Sequence, residues 1–210
     1  QAYVTRSMAE FGEAAVAGMA IVARMTPVAF GVLFALSGAV GPIIGQNFGA
    51  GKNDRVRDTF RDAMIFTALV VVFVSLVLFF LRGPIVTLFD AEGITKELVL
   101  FFCGPLALAF FFNGVIFVGN AAFNNLGRPF YSTWINWGRH TLGTIPFVLL
   151  GGLYFGAPGI LIGQALGGII FAGITLLLVR KVLSTEAPSD AEADPFARQA
   201  RLFQLFHHRR

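Results

Sequence analysis

From residue 141 to residue 179 the chain runs through 39 consecutive positions without a charged side chain. A helix needs about 20 apolar residues to cross the roughly 30 Å of hydrocarbon in a bilayer, so this run is too long for one crossing and fits two. Gly151, Gly152, Gly156 and Pro158 interrupt it near the middle. The reversal is expected there, with Pro158 in the first turn of the returning helix, where its missing N–H is no loss. Shorter uncharged runs precede it, and together they predict five membrane helices at about 16–47, 63–81, 98–122, 136–155 and 158–179. Pro27, Pro42, Pro105 and Pro146 lie inside these spans and predict kinks, because neighbouring helices in a bundle can satisfy the freed carbonyls. The expected fold class is all-α integral membrane, a polytopic bundle over 1–183 followed by a tail at 184–210.

Composition supports lipid as the solvent. The chain of 210 residues is 56% apolar and 13% charged, with 24 Phe, whereas a soluble domain of this size buries only about 70% of its unfolded surface. Cys103 is the single cysteine, which excludes a disulfide framework and a cysteine metal site. The net charge of +4 does not mark a nucleic-acid partner, because the basic residues sit mostly between apolar runs. Lys52, Arg55, Arg57, Arg61, Arg128, Arg180 and Lys181 would lie on one side of the membrane and only Arg6, Arg82 and Lys96 on the other. By the positive-inside rule the seven mark the cytoplasm, which puts the tail inside and Gln1 outside. A chain that starts outside without a signal-like segment is expected to be part of something longer. The tail is acidic first, then basic and mildly amphipathic, and reads either as a lipid-surface helix or as a partly ordered terminus.

Catalytic patterns are missing: no paired carboxylates, His cluster or Ser/His arrangement shares a face, so neither an enzyme nor a metal site is expected. The stretch from Gly45 to Asn53 looks like a phosphate loop, but five residues separate Gly45 from Gly51 and Asn53 stands where Ser or Thr should be. Gly41, Gly45 and Gly49 recur every fourth residue instead, a smooth stripe for close helix packing, and Gly49 with Gly51 would end the helix. Asn113, Asn120 and Asn124 fall within about 20° of one another on a helical wheel. Asn136, Arg139 and His140 share a face at i, i+3, i+4, and Gln164 lies beside Gly163 and Gly167. Such residues either bond helices together or line a cavity, and Arg139 and His140 have a third option of snorkelling to the interface. All twelve Asp and Glu lie outside the apolar cores, so no embedded carboxylate is available to carry a proton or sodium ion.

Two passages carry a family resemblance. Residues 14–57, with AVAGMAIVARMTP and GPIIGQNFGAGKNDRVR, resemble the eighth helix and following loop of multidrug and toxic compound extrusion (MATE) transporters. Residues 112–139, FNGVIFVGNAAFNNLGRPFYSTWINWGR, resemble their tenth helix and the loop into the eleventh. The resemblance implies the C-terminal lobe of a twelve-helix, two-lobed transporter that lacks its N-terminal lobe and seventh helix. It implies export of small organic compounds, cationic or amphiphilic, in exchange for H⁺ or Na⁺ across the cytoplasmic membrane. No cofactor is implied. Some branches of the family place an acidic residue of a cation site where Asn113 stands, so the coupling ion is expected to bind in the absent lobe. The alternatives are a lipid-linked oligosaccharide flippase of the same superfamily, or a non-transporting membrane subunit or gene remnant.

Overall fold

The computed structural model describes residues 2–185, all of whose regular elements are helical. These are α1 (Ala2–Ala9), α2 (Glu13–Gly49), α3 (Asn53–Leu88), α4 (Gly93–Phe101), a π-helical turn (Phe102–Leu106), α5 (Ala107–Asn125), α6 (Pro129–His140) and α7 (Ile145–Thr185). The tail beyond residue 185 lies outside the described residues.

Helix α7 is a hairpin. At Gly156 the backbone takes φ +64, ψ −148, a left-handed conformation that glycine adopts without Cβ strain, and the chain doubles back. The two arms lie almost backbone to backbone: a methyl on Gly151 would meet the Gly159 carbonyl, one on Gly163 the Phe147 carbonyl, and one on Gly167 the Gly143 carbonyl. Gly138 of α6 continues the series against the Phe171 ring. Thus α6 and the first arm of α7 form one broken crossing that runs antiparallel to the second arm.

The fourth span therefore differs from its expected bounds of 136–155. It starts at Pro129, which occupies the first helical position, and it breaks at 141–144, where Thr141 leaves helical geometry (φ −104, ψ −81). Pro146 sits in the first turn of α7 and produces no kink of its own. Pro105 does distort its helix: Gly104 beside it adopts φ −104, ψ −116 within the π-helical turn. One turn after Pro27, Phe30 departs from helical geometry (φ −113, ψ 17).

The second span is also longer than 63–81, because the basic stretch expected as a loop is helical from Asn53. Arg57 pairs with Asp54 and Arg61 with Asp58 at i,i+3, at 3.8 and 3.3 Å. Exposed pairs of this kind add only a few tenths of a kcal/mol each, so packing decides: Val56 is buried in a cluster with Val179 and Val182, and Arg57 donates to the Leu183 carbonyl at 3.1 Å. The connection shrinks to a tight reversal in which Gly51 (φ +70) is left-handed and Lys52 N–H reaches the Asn47 carbonyl at 2.9 Å.

Helix α5 is central, packed against α2, α3, α6 and α7. Gly114 receives the methyl of the fully buried Thr67 from α3, and Gly119 that of the fully buried Thr175 from α7. Both threonine hydroxyls donate to carbonyls four residues back, at 2.7 Å, so neither is left unsatisfied. On the outside, α3 presents Ile65, Leu69, Phe73, Leu76 and Phe80 as an exposed apolar face, which needs lipid around it. Exposed Trp134 and Trp137 near one end of the bundle and exposed Tyr154 near the other sit about 30 Å apart at the helical rise, the spacing of two interfacial belts.

Asp54 lies in the first turn of α3 and Glu92 just past its far end, before α4, so the two are at opposite ends of the bundle. With Cys103 replaced by alanine, cysteines at these two positions are expected to react with a membrane-impermeant maleimide from opposite sides of the membrane. Labelling of both from one side would contradict the arrangement.

Candidate functional site

A cavity of about 520 Å³ opens among α2, α5, α6 and the second arm of α7. Its apolar wall is aromatic. Phe30 stacks on Phe110 with centroids 4.1 Å apart and rings within 2° of parallel, and Phe102 meets both edge-on at 6.5 and 6.3 Å. Phe34 and Phe117 lie 4.8 Å apart. The departure of Phe30 from helical geometry accompanies this cluster, of which Phe102, Phe110, Phe34 and Phe117 line the cavity.

The polar groups come from three other directions. Asn113 projects from α5, Asn136, Arg139 and His140 from α6, and Gln164 from α7. Thr144 also lines the cavity, and its hydroxyl donates to the Arg139 carbonyl at 2.8 Å, which occupies an acceptor freed by the break between α6 and α7. Asn136 is held on both sides: its amide donates to the Ser132 carbonyl at 2.9 Å and accepts from Asn120 at 3.3 Å. By contrast, the amides of Asn113 and Gln164 and the guanidinium of Arg139 have no hydrogen-bond or ion-pair partner among the described residues. Open polar groups facing a cavity are what a site for a polar ligand requires, since each is costly in lipid unless something binds it.

Of the asparagine stripe on α5, only Asn113 reaches the cavity. Asn120 lies beneath Asn136, with its Oδ1 buried and unpartnered, and Asn124 is exposed at the end of the helix. Their shared helical face is real, but Asn120 is engaged by Asn136 and neither it nor Asn124 lines the cavity. The glycines divide similarly. A methyl on Gly41 would come within 2.7 Å of the Asn125 amide, and one on Gly45 within 3.1 Å of its oxygen, so this pair packs on α5. Gly49 has nothing within 4 Å and is simply the last helical residue, while Gly51 makes the reversal. Gly163 and Gly167 pack against the first arm of α7, as described above.

Sequence reasoning did not identify which rings form the aromatic wall, because 24 Phe spread over the chain give no sign of which few converge. It also missed Gly114 and Gly119 as the seats of Thr67 and Thr175. A second cavity, about 540 Å³ between α2 and α3, is apolar apart from Arg24 and contains no amide. Among the described residues no three His, Cys, Asp or Glu come together.

A bundle of helices long and apolar enough to cross a membrane, with an amide- and ring-lined cavity among them, defines a multi-pass membrane protein. The MatE family model matches residues 1–150, and the chain belongs to that family. The crystal structure of the Vibrio cholerae MATE transporter VcmN in its bent form superposes with a TM-score of 0.82 at 25% identity, over 88% of this chain and 42% of that one. The eukaryotic MATE transporter AtDTX14 gives 0.70 at 18% identity, over 83% and 41%, which shows the shared fold. In sequence, the chain is 36% identical over 182 residues to the uncharacterized 21 kDa protein in the iaaL 5′ region of Pseudomonas savastanoi, covering 81% of this chain and 56% of that protein. It is 25% identical to an FAD transporter of Shewanella oneidensis, covering 86% of this chain and 40% of the transporter. The chain thus spans about half the length of the curated relatives it matches.

Proposed function

We propose that residues 1–183 act as the C-terminal lobe of a secondary transporter that exports organic compounds across the cytoplasmic membrane in exchange for H⁺ or Na⁺. The observation that carries this reading is the convergence of Asn113, Asn136, Arg139 and Gln164 from three helices on one cavity walled by Phe side chains. Rings supply non-directional contact and open amides orient a bound compound. Rocking of this lobe against a homologous partner lobe would expose the cavity to each side in turn. The name of the Shewanella relative adds aromatic compounds of the flavin type to the candidates.

Coupling belongs elsewhere in the full protein. No Asp or Glu lines the cavity, and an amide cannot exchange a proton in transport. His140 is the one lining group whose ordinary titration falls near neutral pH, so it is the residue on which this reading is tested. The test is transport by the full-length protein in everted vesicles, with ethidium and riboflavin as probes and imposed H⁺ or Na⁺ gradients. His140→Gln is expected to keep at least about a third of the rate, consistent with the modest worth of about 0.6 kcal/mol for an intramembrane hydrogen bond. Loss of coupled transport in that variant at normal abundance would place the proton carrier in this lobe.

A further inference from the structure

We infer that the cavity selects organic anions, aromatic compounds bearing a phosphate or carboxylate, with the Arg139 guanidinium as the anion-binding group. The inference rests on the cavity being a substrate site and adds the sign of the substrate's charge.

Of the side chains that line the cavity, Arg139 and His140 are the ones able to carry charge, and both are basic. No carboxylate faces Arg139 from α2, α5 or α7, the other elements that build the walls. The acidic residues closest in kind, Asp54, Asp58 and Asp62, lie on the polar start of α3 and are engaged by Arg57 and Arg61 there. Arg139 is half-buried and has no ion-pair or hydrogen-bond partner among the described residues. A permanent cation in such a place is expensive unless a counter-ion joins it. Its planar fork of N–H donors matches two oxygens of a phosphate or carboxylate, a geometry that an ammonium group does not offer.

The remaining groups fit the rest of such a compound. Phe34, Phe110 and Phe117 offer flat apolar contact for a ring system, and the open amides of Asn113 and Gln164 can both donate and accept toward ring heteroatoms. An organic cation would gain attraction from the same rings, but the Coulomb repulsion from Arg139 at contact range exceeds a cation–ring attraction. The cationic substrates expected from the family resemblance are therefore the wrong sign for this lobe's cavity.

FMN and riboflavin share one ring system and differ by a phosphate, so the pair isolates the charge. Binding to the full-length protein in nanodiscs is read by flavin fluorescence quenching, with ethidium as the cationic probe. FMN is expected to bind at least about tenfold more tightly than riboflavin, equivalent to about 1.4 kcal/mol, with the preference shrinking as salt is raised. Arg139→Gln is expected to weaken FMN binding about tenfold, far more than riboflavin binding, so that the preference is lost, and Arg139→Lys to restore part of it. A merely structural arginine would change both ligands together. Equal affinity for the two flavins, ethidium binding as tight as FMN, or an FMN preference that survives Arg139→Gln would overturn the inference. Transport of ethidium but not FMN would overturn it too while leaving the transporter reading intact. Arg139-dependent FMN binding without transport of any of the three probes would do the reverse.

Discussion

Leucine in place of Gly163 or Gly167 is expected to prevent the lobe from folding, whereas leucine at Gly173 on the same helix is expected to be tolerated. The Cβ of any side chain at the first two positions would collide with the carbonyls of Phe147 and Gly143. Backbone cannot rotate aside as a side chain can. Relief would require the two arms of α7 to separate along their length, which would strip the contacts of Val148, Ala157, Ile160 and Leu161 in the cluster they share with α1 and α2. Overpacking against movable side chains already costs about 1–3 kcal/mol, so a clash of backbone on backbone should reach the upper end of single-site effects, above about 4 kcal/mol. Gly173 is exposed and has nothing within 4 Å of its added Cβ. The measurement is recovery of monodisperse protein after detergent extraction, together with its thermal transition. Normal recovery of Gly167→Leu would show that the arms do not approach as described.

Ala165→Trp is expected to lower transport by at least tenfold while leaving the protein folded. Ala165 lines the cavity beside Gln164, as does Ala23 of α2. An indole there would fill space that a substrate needs, and a pocket's affinity depends on burying most of its ligand. The neighbouring Leu166 is exposed on the lipid side, so Leu166→Trp serves as the control and should keep a near-normal rate. Abundance in the membrane within twofold of wild type separates a blocked cavity from a lost fold. Unchanged transport in Ala165→Trp would show that substrate does not pass through this cavity.

The proposed preference for an anion marks where family resemblance and local geometry part. Asn113 reads from sequence as an amide that cannot titrate, and that chemistry holds wherever it points. Arg139 on the same reading is as ready to snorkel to the interface as to line a cavity. Its fate depends on the break at 141–144, which begins two residues further on, and on the approach of the second arm of α7 beyond Gly156, which nothing near Arg139 encodes. The basic stretch 52–62 illustrates the same limit. Its charges rightly exclude it from the hydrocarbon, but whether it forms a loop or a helix turns on Val56 meeting Val179 and Val182, residues more than a hundred positions away.

What the sequence determined by itself is the solvent, because a lipid-spanning helix must satisfy its own backbone and so writes its length into an uninterrupted apolar run. Reversals were legible for the same reason, since Gly156 with Pro158 and the glycines at 49 and 51 are local conformational signals. The tertiary structure decided which residues share the cavity. Amides seven residues apart on one face of α5 were separated, Asn113 open and Asn120 sealed under Asn136, because lining a cavity is a property of where several helices leave a gap. That gap depends on how closely backbones approach, and the approach is governed by glycine contacts between residues distant in the chain.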